Sequence, residues 1–83
     1  MKIINNLRDF LTDKEYYIDI FENNLHAFNY QKLLRLNDNI VELRFEKFDL
    51  EIKGSNIKIK EMNNNEILVN GIIDIVRIKR WEI

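Results

Sequence analysis

Residues 48–60 read F-D-L-E-I-K-G-S-N-I-K-I-K. Two runs alternate strictly between apolar and charged residues, and a Gly-Ser step separates them. Alternation with period two marks a strand with one buried and one wet face, and it does not fit a helix of period 3.6. Folded back across Gly54-Ser55, the runs pair Ile52 with Ile57 and Leu50 with Ile59 on one face. The same register pairs Glu51 with Lys58 and Asp49 with Lys60 on the other. Apolar pairs inside and opposite charges outside predict an antiparallel hairpin.

The remaining chain keeps this rhythm. Proline is absent and there are two glycines, so asparagine takes the turns: Asn23-Asn24, Asn37-Asp38-Asn39, Asn63-Asn64-Asn65 and Asn70-Gly71. Asparagine tolerates the left-handed backbone better than other residues with a side chain. Between turns the runs are β-branched or aromatic, which predicts strands at Tyr16–Phe21, Leu25–Tyr30, Lys32–Leu36, Ile40–Phe45, Phe48–Lys53, Ile57–Met62, Ile67–Val69 and Ile72–Ile78. Gly54, Asn70 and Gly71 are the expected structural turns. The last strand is apolar on both faces, with Ile73 and Ile75 on one and Ile72, Val76 and Ile78 on the other. It should be sandwiched or meet another subunit, so Ile72, Val76, Ile78 and Trp81 are the candidate interface.

Before the strands, Ile4, Leu7, Phe10 and Leu11 recur at helical spacing, which predicts a short helix over Lys2–Leu11, within residues 1–12. The expectation is one domain over 1–83 with its strands in 16–78. Its fold class is all-β, a small antiparallel meander forming a sandwich or roll with a short N-terminal helix. The alternative is a β-solenoid, which would pair its strands in parallel.

Composition narrows the function classes. The 83 residues carry 13 basic and 14 acidic side chains, a net charge of −1. That balance provides no global field to recruit nucleic acid or an anionic membrane. There are no cysteines, so disulfides and thiolate zinc sites are excluded. No apolar run has the length of a signal peptide or of a membrane span, so neither secretion by a cleaved signal nor membrane insertion is expected. A homo-oligomer is the expectation, since so short a chain has a small stability margin, and the lack of cysteine allows a reducing, cytoplasmic compartment.

No constellation for chemistry emerges. His26 is the single histidine and has no H-x-x-H or H-x-E partner, so a half-exposed strand histidine is the favoured reading over a base or a metal ligand. Asp49 and Glu51 could form an acid/base pair, but the hairpin register already gives each a lysine. An enzyme built on His26 and Asp49 would need both in one pocket. Glycine-rich phosphate loops and calcium-loop patterns are absent. No cofactor or metal is therefore expected. Arg77, Lys79, Arg80 and Trp81 combine cations with a stacking ring, which makes a small nucleic-acid-binding β-domain the alternative function. A basic strand end is also how sheets discourage edge pairing, so no nucleic acid is the preferred expectation.

From Leu25 to Ile78 the chain resembles the YabP/YqfC family of sporulation proteins. The resemblance is carried by L-H-A-F-N-Y (25–30), I-V-E-L-R-F (40–45), L-E-I-K-G-S-N-I-K-I (50–59) and M-N-N-N-E-I-L-V-N-G-I-I-D-I (62–75). Gly54 and Gly71 fall where the family has glycines, and Asn29-Tyr30 and Met62 with Glu66-Ile67 point to the YqfC branch. The resemblance implies a non-enzymatic protein of the mother cell in late spore development, in coat or cortex formation. It also implies a membrane-protein partner encoded nearby and a cytoplasmic place at or near the forespore membrane. Together with the missing catalytic constellation and the doubly apolar last strand, it makes a self-associating or partner-docking module the expected function.

Overall fold

The computed structural model describes residues 16–81, which form six strands: β1 (Tyr17–Phe21), β2 (Asn24–Phe28), β3 (Lys32–Leu36), β4 (Ile40–Arg44), β5 (Phe48–Met62) and β6 (Glu66–Arg80). They make one open sheet in the order β1-β2-β6-β5-β4-β3, and every neighbouring pair is antiparallel. The all-β expectation is met, and antiparallel pairing throughout removes the solenoid. The helix expected over Lys2–Leu11 lies outside the described residues.

The hairpin expected at Phe48–Lys60 does not form. β5 runs straight through Gly54, and β6 runs straight through Asn70-Gly71, so the eight expected strands become six. Neither Gly54, Asn70 nor Gly71 is a turn. The two long strands pair with each other, setting Ile52 against Val76, Leu50 against Ile78, Glu51 against Arg77 and Asp49 against Lys79. The alternation was real, but the partner strand lies further along the chain. Both glycines instead permit a close approach of backbones. A Cβ on Gly54 would collide with the carbonyl oxygen of Ile72, and one on Gly71 would lie 2.8 Å from the Asn56 oxygen. Gly71 also has φ +148°, which disfavours any side chain. The register shifts around Lys53/Gly54 and Ser55/Lys58 mark the β-bulges that bend the pair there.

The β5–β6 connection is Asn63-Asn64-Asn65. The Asn63 side-chain oxygen accepts from the amides of Asn65 (3.0 Å) and Glu66 (2.8 Å). The β3–β4 connection repeats the device: the Asn37 oxygen accepts from Asn39 (2.8 Å) and Ile40 (3.0 Å). Each asparagine thereby replaces a missing backbone partner in its turn.

The sheet's two halves are laid out alike. β1 and β2 lie along Glu66–Asn70 of β6, and their connection reaches Gly71, whose amide donates to the Asn23 oxygen. β3 and β4 lie along the start of β5, and their connection reaches Gly54, whose amide donates to the Asn39 oxygen. Cross-strand apolar rows follow: Ile20–Leu25–Val69–Ile59 in one half, Leu33–Leu43–Leu50–Ile78 and Leu36–Val41–Ile52–Val76 in the other. Leu25, Val69, Val41, Leu43, Leu50 and Ile52 from both halves join one buried cluster with Phe45 and Phe48, whose rings stack 4.9 Å apart.

Candidate interaction surface

Between the apolar rows of β3–β6 lie two polar ones, pointing to the opposite face. One runs Arg35–Glu42–Glu51–Arg77 and the next runs Lys32–Arg44–Asp49–Lys79. Strand alternation requires this placement once the apolar residues are buried. Glu42 and Glu51 are themselves buried beneath longer cationic side chains. Glu42 meets Lys79 at 2.7 Å and Arg35 at 3.3 Å; Glu51 meets Arg77 at 2.7 Å, Lys79 at 3.7 Å and Lys53 at 3.8 Å. Asp49 takes two hydrogen bonds from Arg44, at 3.0 and 3.2 Å, and one from the Trp81 indole at 3.3 Å. Arg44 also lies over the Trp81 ring, 5.3 Å from its centroid.

These contacts shift the groups involved. The Arg44 hydrogen bond holds the Asp49 carboxyl below the ordinary carboxylate range, and the Arg77 hydrogen bond does the same for Glu51. The Glu42 hydrogen bond raises Lys79, and the Asp49 hydrogen bond raises Arg44. Asp49 and Glu51 are thus ionised and occupied, which suits neither as a general acid near neutral pH. Their partners are Arg44 and Arg77, not the Lys60 and Lys58 expected from the hairpin. Arg77 and Lys79 share a face with Trp81 as expected, but both are tied to carboxylates, which lowers their worth as phosphate contacts.

His26 hydrogen-bonds Glu66 across 3.0 Å, beside a hollow of about 160 Å³ lined also by Glu61, Met62 and Asn63. Asp49 does not line that hollow. Among the described residues no group of three metal-binding side chains occurs, and no helix is long and apolar enough to cross a membrane.

The candidate interface residues fall on a sheet edge. β2 covers β6 as far as Asn70, and among the described residues no strand lies beside β6 from Ile72 to Arg80 on that side. Ile72 and Ile78 are exposed there, and so is Ile75, which was expected on the strand but not in the interface, whereas Trp81, just past the strand end, is exposed but lies over Arg44 and Asp49 on the β5 side. Val76 is a correction: it is half-buried and packs on the core opposite Ile52. A bulge at Asp74 breaks the regularity of this edge and discourages indiscriminate strand addition. Glu42 was not singled out from sequence, although its place in I-V-E-L-R, between two core residues, was the available signal.

No protein-family model matches this chain, and neither a curated protein nor a solved structure matches it.

Proposed function

We propose that this protein is a non-catalytic β module that self-associates or docks a partner. The observation that carries this reading is the series of exposed side chains Ile72, Ile75 and Ile78 along a stretch of β6 that no strand covers among the described residues. Large apolar side chains gathered on an unpaired edge suit a protein contact, while the paired state of Asp49, Glu51 and His26 gives chemistry little to work with. Side chains from both halves share one core, which fits closure as a roll. Sedimentation velocity over a concentration series tests the module reading. Association or partner capture should weaken in Ile75→Lys, whose side chain is exposed and outside the core. A wild-type protein that stays monomeric and binds nothing through this edge would overturn it.

A role in the mother cell during late spore development rests on the YabP/YqfC resemblance of residues 25–30, 40–45, 50–59 and 62–75. A membrane-protein partner encoded nearby and a membrane-proximal cytoplasmic location rest on it too. A fluorescent fusion at the native locus tests this setting. Signal confined to the mother cell after sporulation begins is the expected result, and equal signal in vegetative cells would refute it.

A further inference from the structure

The two outermost strands carry opposite charge on matching patterns. β1 reads Tyr17-Ile-Asp-Ile-Phe21 and is followed by Glu22; β3 reads Lys32-Leu-Leu-Arg-Leu36. Both bound the sheet, and among the described residues neither has a strand on its outer side. Both expose apolar groups: Ile20 is 52% and Phe21 44% accessible on β1, and Leu36 is 48% on β3. Asp19 and Lys32 have no ion-pair partner among the described residues, whereas Arg35 shares its charge with Glu42 at 3.3 Å and remains exposed.

We infer that β1 of one copy pairs antiparallel with β3 of a second copy, so that the protein assembles head to tail. One register brings apolar groups together on the core side and opposes one pair of unlike charges. It sets Ile18 against Leu36, Asp19 against Arg35, Ile20 against Leu33 and Phe21 against Lys32. The β3 bulge between Leu33 and Arg35 takes up Leu34 as the extra residue. In this register the faces agree. Ile18 and Ile20 stand on the core side of β1, opposite Ala27 and Leu25, and Leu33 and Leu36 stand on the core side of β3, opposite Leu43 and Val41. Asp19 and Arg35 both stand on the far side. Cross-strand apolar pairs and one opposite-charge pair are what a stable antiparallel contact needs. The same charges disfavour β1 with β1 and β3 with β3, which makes the pairing selective for unlike edges. Because the two surfaces differ, each added copy presents a fresh edge, and the product is a ring or an open filament, not a closed dimer.

The inference rests on the self-association reading above and assigns it a specific contact. Its test uses three forms of the full chain in sedimentation velocity over a concentration series. Wild type should show an assembly series. Asp19→Lys alone should lose it, since a lysine at position 19 would face Arg35, and Arg35→Asp alone should lose it, since two aspartates would then face each other. An equimolar mixture of the two should regain it, because each variant's altered edge now matches the other's. Lys32→Glu, at a residue without an ion-pair partner among the described residues, cancels the positive charge of β3 and should also weaken assembly, should Arg35→Asp disturb Glu42. Assembly that persists in the single variants overturns the inference. If Ile75→Lys then abolishes it, the contact is on β6 and the broader reading stands. A wild type that is monomeric throughout overturns the inference and the self-associating reading together.

Discussion

Glu42 on β4 stands directly opposite Glu51 on β5, both are buried, and Lys79 of β6 reaches the two of them at 2.7 and 3.7 Å. Like charges placed opposite across a ladder repel, so the pair depends on cations from the flanking strands. Lys53 touches Glu51 alone, at 3.8 Å. Lys79→Met should therefore lower the urea midpoint more than Lys53→Met does. Equal midpoints would show that Lys79 does not hold the pair together.

The same network gives stability a pH dependence of known sign. Asp49 and Glu51 have carboxyls held below their ordinary range, so their contribution is present above the unfolded carboxylate pKa and is lost as pH falls through the folded values. Lys79 is raised, so its contribution is present below the ordinary lysine pKa and is lost as pH climbs through the folded value. A stability plateau is expected between about pH 5 and about pH 9, falling on both sides. Urea midpoints across pH measure this, and Glu51→Gln should flatten the acid limb.

Gly54→Ala should cost about 3 kcal/mol, the upper end for overpacking, because its Cβ meets the rigid carbonyl of Ile72 and a backbone must move. Gly71→Ala should destabilise as well, through both its positive φ and the Asn56 carbonyl. Had either glycine been an ordinary exposed turn, asparagine would substitute well. Chemical denaturation of Gly54→Asn therefore separates the two cases, and a wild-type midpoint would contradict the close approach.

Phe45 is 1% exposed and stacks on Phe48, while Tyr16 meets both ring edges from a position 42% exposed. Phe45→Ala should cost about 3–5 kcal/mol. Tyr16→Ala should cost well under half of that in the same denaturation experiment.

Asn63→Ala removes the acceptor for two amides in the β5–β6 turn and should cost about 1–2 kcal/mol. Asn37→Ala should match it, since its bonds to Asn39 and Ile40 repeat the geometry. Thermal melts of the pair compare them directly.

How much of this was legible in the chain depends on the range of the force involved. Lys32–Leu36 was predicted to the residue because a run of alternating side chains between turn asparagines is a local signal. The turns at Asn37 and Asn63 were legible for the same reason. Residues 48–60 misled because the alternation of β5 is satisfied equally by a strand folded back on itself and by β6, and only tertiary packing chooses. Gly54 has the same composition in a turn and in a pinch between strands. The cross-strand partners of Asp49 and Glu51 followed that choice, and so Lys60 and Lys58 were expected where Lys79 and Arg77 stand. Val76 was expected on an interface and instead packs on the core, because its inward side depends on the β6 bulge, which no local pattern encodes.

The position of β2 beside β6 also sets the order in which the chain can come together. β3, β4, β5 and β6 are joined by short connections, and each can zip onto the one before it. β2 must find a partner 46 residues away, as the Asn24–Asn70 contact records. Closing so long a loop is slow compared with zipping neighbours. β1 and β2 are therefore the last to arrive and the first to leave. Their amides should exchange with solvent through a partial opening that leaves β4, β5 and β6 protected, and the acidic edge of β1 would then be released and withdrawn as one unit with its hairpin.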